Sequence, residues 1–542
     1  MSRILLLALF FIWMAVPPPV QSHAELLPNL LVFFSLYLAM ILVLGLWSRT
    51  LARQVAADNF HRSLRRFNHV MFAARLMVPI WFMLGVWVLG WGTIVLQWGA
   101  RIAEGSQVKD PMAFGLSIYR SAPGLLLGTF PAFAAWMGLW WSQYPAERAL
   151  REQNLLIELD NDLPLYQPLS FRRYFLSNFR LQVLFTLLPV VMIVLVRDAL
   201  IWVGTWTFGP VVSSDMDRNI EFGSMLLAAA TVFLFAPVLL RRILNTSPMP
   251  DSPLRRRLDA MCVRAGIRYR RILVWNTHNH VGNAAVMGVL PALRYVLLSD
   301  VLLERMSDEQ IEAVFAHELG HIVHRHMTWY AIFFVMLIFA TWSVEILLDQ
   351  SNHAAAASNV VGGVVGGFFI AAFFLLFGAL SRRCERQADV YAARTIELLK
   401  ADEPLASQGL FVARQLVIVG AGHFIPPRSA RRMAVGRHGA GIFASALRRV
   451  ALINNIPVTP PSRSATGLWN KVTHYADGIV ELCNNWLHGS IAGRMQYLQE
   501  LSADPGLTRR FDQTMYRLFC GLLVAFLTSA ILAAIMQKMA QQ

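Results

Sequence analysis

Five consecutive residues, His317-Glu318-Leu319-Gly320-His321, have types and spacing that could do chemistry. Positions four apart share a helical face, so both imidazoles can ligate one metal ion while the intervening carboxylate reaches a water on that ion. Catalytic zinc typically takes three protein ligands and leaves a fourth position for water. The extended pattern H-E-x-x-H-x-x-G-x-x-H would place the third ligand nearby, but its Gly and last His are absent. His324 lies on the same face, seven residues after His317, where a helix rarely curves enough to offer a third donor, and His326 points nearly opposite. Glu385 is the other candidate. It opens Glu385-Arg386-Gln387-Ala388-Asp389, where Glu and Asp again stand four apart. Glu385 can then bind zinc while Asp389 hydrogen-bonds a ligand histidine and fixes its tautomer.

The elements that must position these groups are legible upstream. Ser307-Asp308-Glu309-Gln310 is a capping-box pattern that opens a long helix at about Asp308. Residues 252 to 265 read as a helix, and 272 to 275, 284 to 288 and 295 to 298 as strands. The rest of the chain is strongly apolar. Of its 542 residues 56% are hydrophobic and only 15% charged, with mean hydropathy +0.48, where soluble domains carry about 25% charge. Net charge is +15, carried almost wholly by arginine, and no RNA- or DNA-binding motif accompanies it. Four widely spaced cysteines without a C-x-x-C pair suit a reducing compartment and argue against a disulfide framework and a cysteine-ligated zinc site.

Apolar runs near the length of a bilayer crossing fall at 4 to 16, 26 to 47, 76 to 98, 123 to 142, 181 to 206, 222 to 240, 328 to 348, 359 to 380 and 517 to 536. The first also reads as a signal peptide, ending near Ala24. In the fifth, Arg197 and Asp198 would pair to soften the cost of burial. The loops at 49 to 75 and 143 to 180 hold eleven arginines, and the alternate loops hold four basic residues. The positive-inside rule then puts the polar stretches 241 to 327 and 381 to 516 in the cytoplasm. The expected organisation is a first span or signal peptide at 1–24, a multi-span region at 25–240, a metalloprotease domain at 241–516 interrupted by two spans, and a last span and tail at 517–542. Pro426-Pro427 and Pro460-Pro461 mark loops in the second polar stretch.

Ser299-Asp300, Leu302-Leu303-Glu304 and the run from His317 to His326 resemble the HtpX and CAAX prenyl endopeptidase family of membrane zinc metalloproteases. Two spans between the H-E-x-x-H helix and a Glu-x-x-x-Asp segment match that family and imply Glu385 as the third ligand, with Asp389 behind it. Asn283-Ala284-Ala285 resembles the family's Asn-Ala edge strand, which implies substrate binding there. His488 and Arg494 resemble its His-Pro-x-x-x-x-Arg pattern, except that Gly489 stands where the proline would be. The five or six apolar runs before residue 241 exceed the two of HtpX-like members.

The expected fold is mainly α, polytopic membrane helices with a cytoplasmic zincin-like α+β metalloprotease domain. The expected activity is peptide-bond hydrolysis by zinc-activated water, with one Zn2+ per chain and Glu318 as the general base. His488 would donate to the carbonyl oxygen as it gains charge, and Arg494 would brace a carboxylate such as Asp389. Partners would be a protein or peptide substrate and the lipid bilayer, with no nucleic acid, at the inner membrane of a cell. A catalytically silent zinc-binding scaffold or chaperone is the alternative, and would need a fourth protein ligand closing the site. A metal transporter would need ionisable residues inside several spans, whereas here the ligands flank them.

Overall fold

The computed structural model of the protein describes residues 2–15, 23–55, 60–104, 110–160, 167–208, 214–278, 281–349, 355–407, 433–454, 456 and 485–540. They form two compact units, one before and one after the junction between Asn245 and Thr246. Both Pro-Pro pairs expected to mark loops lie outside the described residues.

Helices long and apolar enough to cross a membrane make this a multi-pass membrane protein. Seven occur among the described residues, namely Leu26–Gln54, Arg62–Trp87, Ala122–Leu155, Phe171–Thr207, Gly223–Ile243, His326–Val344 and Pro505–Met539. One expected span needs correcting. Residues 76 to 98 are not one helix, because the helix ends at Trp87, Gly90 takes φ +85, and a separate helix runs Trp91–Glu104. That backbone region is open to glycine at little cost and stops a helix, while hydropathy continues unbroken across it. The expected span 359 to 380 runs inside a longer helix, Ala355–Ser407, many of whose N-terminal side chains lie outside the described residues.

The first unit is a helical bundle with an aromatic interior. Trp13, on the short helix Ser2–Ala15, stacks on Tyr119 at 4.1 Å between centroids and donates to its carbonyl at 3.0 Å. Arg197 and Asp198 do pair, at 2.6 Å, and both also hold the turn near residue 121, through the Arg120 carbonyl and the Ala122 N–H. Every polar hydrogen of that turn satisfied inside the bundle is one fewer to desolvate in lipid.

The second unit is built around four strands, β1 (Thr246–Pro248), β2 (Arg271–Trp275), β3 (Ala284–Met287) and β4 (Tyr295–Ser299), in the order β1-β2-β4-β3. β2 and β4 are parallel, and β3 runs antiparallel to β4 at one edge of the sheet. The helices are α1 (Pro253–Arg264), α2 (Asp300–Arg305), α3 (Asp308–Val323), α4 (His326–Asp349), α5 (Ala355–Ser407), α6 (Arg437–Ile453), α7 (Ile491–Ala503) and α8 (Pro505–Ala540). Ser252 caps α1 by accepting from the Arg255 N–H. Both bonds of the capping box form at the start of α3, between Ser307 and Gln310. Ile311, Phe315 and Leu319 of α3 are buried in a core shared with Leu298 of β4, Val390 and Ala393 of α5, and Phe443 and Leu447 of α6.

Candidate active site

α3 and α5 approach unusually closely where the site forms. A Cβ placed on Gly320 would stand 3.0 Å from Ala388 Cα and 3.3 Å from its Cβ and carbonyl oxygen. Small residues at the crossing let the backbones meet, and the candidate ligand positions on either side converge. His317 Nε2 lies 3.2 Å from His321 Nε2 and 3.6 Å from a Glu385 oxygen, and His321 Nε2 lies 3.6 Å from the other. Ligands at zinc's usual distances in a tetrahedron stand about 3.3 Å apart. The imidazole pair matches that spacing and Glu385 brings a different oxygen towards each ring, so one donor atom from each of the three residues lies within 4.8 Å of the others, a set that could hold a zinc ion. Among the described residues, these three are the one group of His, Cys, Asp or Glu close enough together to hold a metal. His324 lies outside it, its ring 5.8 Å from those of His326 and Tyr391.

Each donor is braced. Asp389 Oδ1 lies 2.9 Å from His317 Nδ1, off the ideal hydrogen-bond direction. Asp389 in turn takes two bonds from Arg494, from Nε at 2.8 Å and from a terminal nitrogen at 2.5 Å. A third Arg494 nitrogen stands 3.5 Å from Glu385. Phe443 stacks on the His317 ring at 5.6 Å and 18°. Burial opposes charge on His317, but Asp389 and Glu385 outweigh it and lift its pKa to about 9. Burial would also raise Glu385 and Asp389. The His317 and His488 rings outweigh it at Glu385 and hold that group well below the usual range, as Arg494 and His317 lower Asp389. At Glu318 burial wins, and its carboxyl is raised even though His317 pulls the other way. For His321 burial dominates and keeps the ring neutral, with the lone pair a ligand needs.

Glu318 faces a cavity of about 1040 Å³ whose walls include β3, Glu385, Phe443 and His488. Asn283 is joined to β4 through the Ser299 N–H and hydroxyl. By the alternation of an antiparallel ladder, Ala285 and Met287 also bond inward, while Ala284 and Val286 turn their N–H and C=O outward. Of Asn283, Ala284 and Ala285, then, only Ala284 presents its main chain to a strand lying alongside. The Val286 N–H meets the Glu318 carboxylate. Asn454 occupies both main-chain groups of Gly282, accepting from its N–H at 3.1 Å and donating to its carbonyl at 2.7 Å. The open edge is bounded there.

His488 lies on a loop pinned to α5. The Trp486 indole donates to the Phe374 carbonyl at 2.6 Å and fills the notch left by Gly378, and Arg382 donates to the Trp486 carbonyl at 2.9 Å. The exposed His488 ring brings Nδ1 to 3.0 Å from Glu385. Gly489 takes φ +73, which a proline ring fixed near −65° could not adopt. The departure from a His-Pro pattern therefore marks a different local backbone.

Three participants escape a reading of the sequence. Gly320 reads as a spacer within the His-Glu-x-x-His run, Ala388 as an ordinary helix former, and Asn454 follows no motif. His326 contacts His321, Nδ1 to Nδ1 at 2.9 Å, where a helix continued from α3 would turn it nearly opposite. α3 ends at Val323 and Arg325 takes φ +55, so the helix is broken before α4 begins at His326. A His-Arg-His break between a capped helix and an apolar run was the available signal.

Residues 248–453 match the profile of Peptidase family M48. Protease HtpX of Legionella pneumophila is 28% identical over 96 residues, 18% of this chain and 34% of that protein. A CAAX prenyl protease 1 homolog of Arabidopsis thaliana is 27% identical over 131 residues, 24% and 31% of the two chains. A Protease HtpX homolog of Aeropyrum pernix is 29% identical over 115 residues, 20% and 35%. The chain thus spans about a third of the length of the curated relatives it matches. Through residues 248–453, the chain is similar to Peptidase family M48, and stretches of it are similar to the HtpX and CAAX prenyl proteases.

Proposed function

We propose that the protein is a zinc metalloendopeptidase that cleaves membrane-associated proteins or peptides from the cytoplasmic face of a cell membrane. The observation that carries this reading is the convergence of His317, His321 and Glu385 at 3.2 to 3.6 Å beside Glu318, in a cavity walled by an open strand edge. A zinc ion held by those three residues would supply a Lewis acid that polarises the scissile carbonyl and lowers the pKa of a water.

An extended segment of substrate would lie along β3, exchanging main-chain bonds with Ala284 and with the Val286 carbonyl. Such pairing positions a peptide bond without demanding a particular sequence. Asn283, exposed at the rim of the cavity, would contact it as well. Glu318 would take the proton of the attacking water on its carboxylate and return it to the leaving amine. His488 would donate from its ring to the carbonyl oxygen as charge develops there, favouring the transition state over the substrate. Arg494 would hold Asp389, and Asp389 the His317 ring, so that the donors stay fixed as substrate binds and leaves.

The cytoplasmic placement is supported by eleven arginines at 49 to 75 and 143 to 180, in the polar end segments of the membrane helices, against four basic residues in the alternate connections. Membrane-protein quality control and dedicated peptide processing both suit a sequence-tolerant edge. Proteomics of cells carrying Glu318→Gln separates them. A set of stabilised membrane proteins points to quality control, a single accumulated precursor points to processing, and an unchanged proteome contradicts the proposal.

A further inference from the structure

His326 is wholly buried, and both its ring nitrogens are engaged: Nδ1 lies 2.9 Å from His321 Nδ1, and Nε2 lies 2.9 Å from Gln387 Oε1. Two ring nitrogens at that separation must share one proton between them, since two protons would collide and two lone pairs would repel. The direction of the chain follows from its far end. An amide oxygen only accepts, so His326 Nε2 carries a proton and donates it to Gln387. A neutral His326 then has a bare Nδ1, which accepts from His321 Nδ1–H. His321 Nε2 is left bare, and that is the nitrogen 3.2 Å from His317 Nε2 and 3.6 Å from Glu385. If the Gln387 amide were reversed, every proton would move one place along and His321 Nε2 would carry hydrogen into the ligand cluster.

We infer that His326 and Gln387 are positioning residues that fix the tautomer and orientation of His321 for metal binding. The inference rests on the reading of His317, His321 and Glu385 as zinc ligands. It also gives α5 a wider part than the supply of one ligand. Glu385 enters the cluster directly, Asp389 braces His317, and Gln387 braces His321 through an interposed imidazole. One ligand histidine is thus backed by a carboxylate and the other by a neutral group, so the second brace adds no negative charge to a site that already holds Glu318, Glu385 and Asp389. The turn at Arg325, with φ +55, is what returns His326 to His321. A non-glycine residue in that region is costly enough to need a compensating contact, and this hydrogen-bonded chain is one.

The test uses the full-length protein in detergent, with zinc affinity read by chelator competition, Co2+ absorption reporting the ligand field, and thermal unfolding without added metal reporting the fold. His326→Leu fills the space but cannot accept a hydrogen bond. It should weaken zinc binding about 10- to 100-fold, the range for losing such a partner, and alter the Co2+ bands. His326→Gln offers an amide oxygen to His321 and an amide N–H to Gln387, and should recover most of the affinity and the wild-type bands. Leucine binding zinc as tightly as wild type would overturn the inference, as would glutamine failing as badly as leucine at equal thermal stability. Glu385→Ala is run alongside. If wild type and Glu385→Ala bind zinc alike, the ligand assignment itself has failed, whereas a loss confined to Glu385→Ala with His326→Leu unaffected overturns only the role of His326.

Discussion

Gly320 offers the sharpest test of how the two helices set the site. A Cβ there would meet Ala388 Cα at 3.0 Å and its Cβ and oxygen at 3.3 Å, closer than the roughly 3.5 to 4.0 Å at which carbon atoms rest. Gly320→Ala therefore demands a separation of a few tenths of an ångström, and Gly320→Val, with two further carbons, demands more. The two imidazole donors stand close to tetrahedral spacing, at 3.2 Å, with a Glu385 oxygen 3.6 Å from each, and a well-formed metal site holds its ligand distances to within about 0.2 Å. Overpacking of this kind costs about 1 to 3 kcal/mol. If the helices relax apart and zinc must draw them together again, that strain appears as a loss of affinity of about 5- to 150-fold. Chelator competition on purified Gly320→Ala and Gly320→Val should show a graded loss, larger for valine. Unchanged affinity in Gly320→Val, or a fall in thermal stability with affinity intact, would refute the claim that this contact sets the ligand distances.

Other outcomes follow from neighbouring groups. His488→Ala should lower kcat by about 10²- to 10³-fold, as for one lost transition-state donor, with zinc content unchanged; wild-type turnover would remove His488 from the site. Arg494→Ala leaves Asp389 buried without its cation and should cost about 3 to 5 kcal/mol in stability, read as a lower melting temperature together with zinc loss. Burial pushes the Cys262 thiol up to about 12, against about 8.5 in an unfolded chain. The folded state thus holds that proton more tightly, so the contribution is full below about pH 8.5 and is lost as pH rises towards 12. The difference in melting temperature between wild type and Cys262→Ala should narrow from pH 8 to pH 11, and a constant difference would contradict the shift.

What could be read in advance was local. The capping box at Ser307 and Gln310, the face shared by His317 and His321, and the strands at 272–275 and 295–298 each depend on a few adjacent side chains. Glu385 was reachable too, because its spacing to Asp389 repeats the logic of the histidine pair. What escaped depends on backbone conformation and on distant partners. Gly90 breaks an apolar run that hydropathy cannot divide, Arg325 redirects His326, and Gly489 adopts a φ closed to proline. Which main-chain groups of Asn283, Ala284 and Ala285 face outward depends on their register with β4, set by hydrogen bonds that no side-chain pattern encodes. Gly320 and Ala388, 68 positions apart in the numbering, become a contact only once two helices cross.

The central claim is that His317, His321 and Glu385 together hold one zinc ion. Elemental analysis of the purified full-length protein, dialysed against a mild chelator, tests it most directly. Wild type and Glu318→Gln should each retain about one zinc per chain, and Glu385→Ala should retain almost none at a similar state of folding. Zinc retained in full by a folded Glu385→Ala protein, or absent from wild type, would contradict the account.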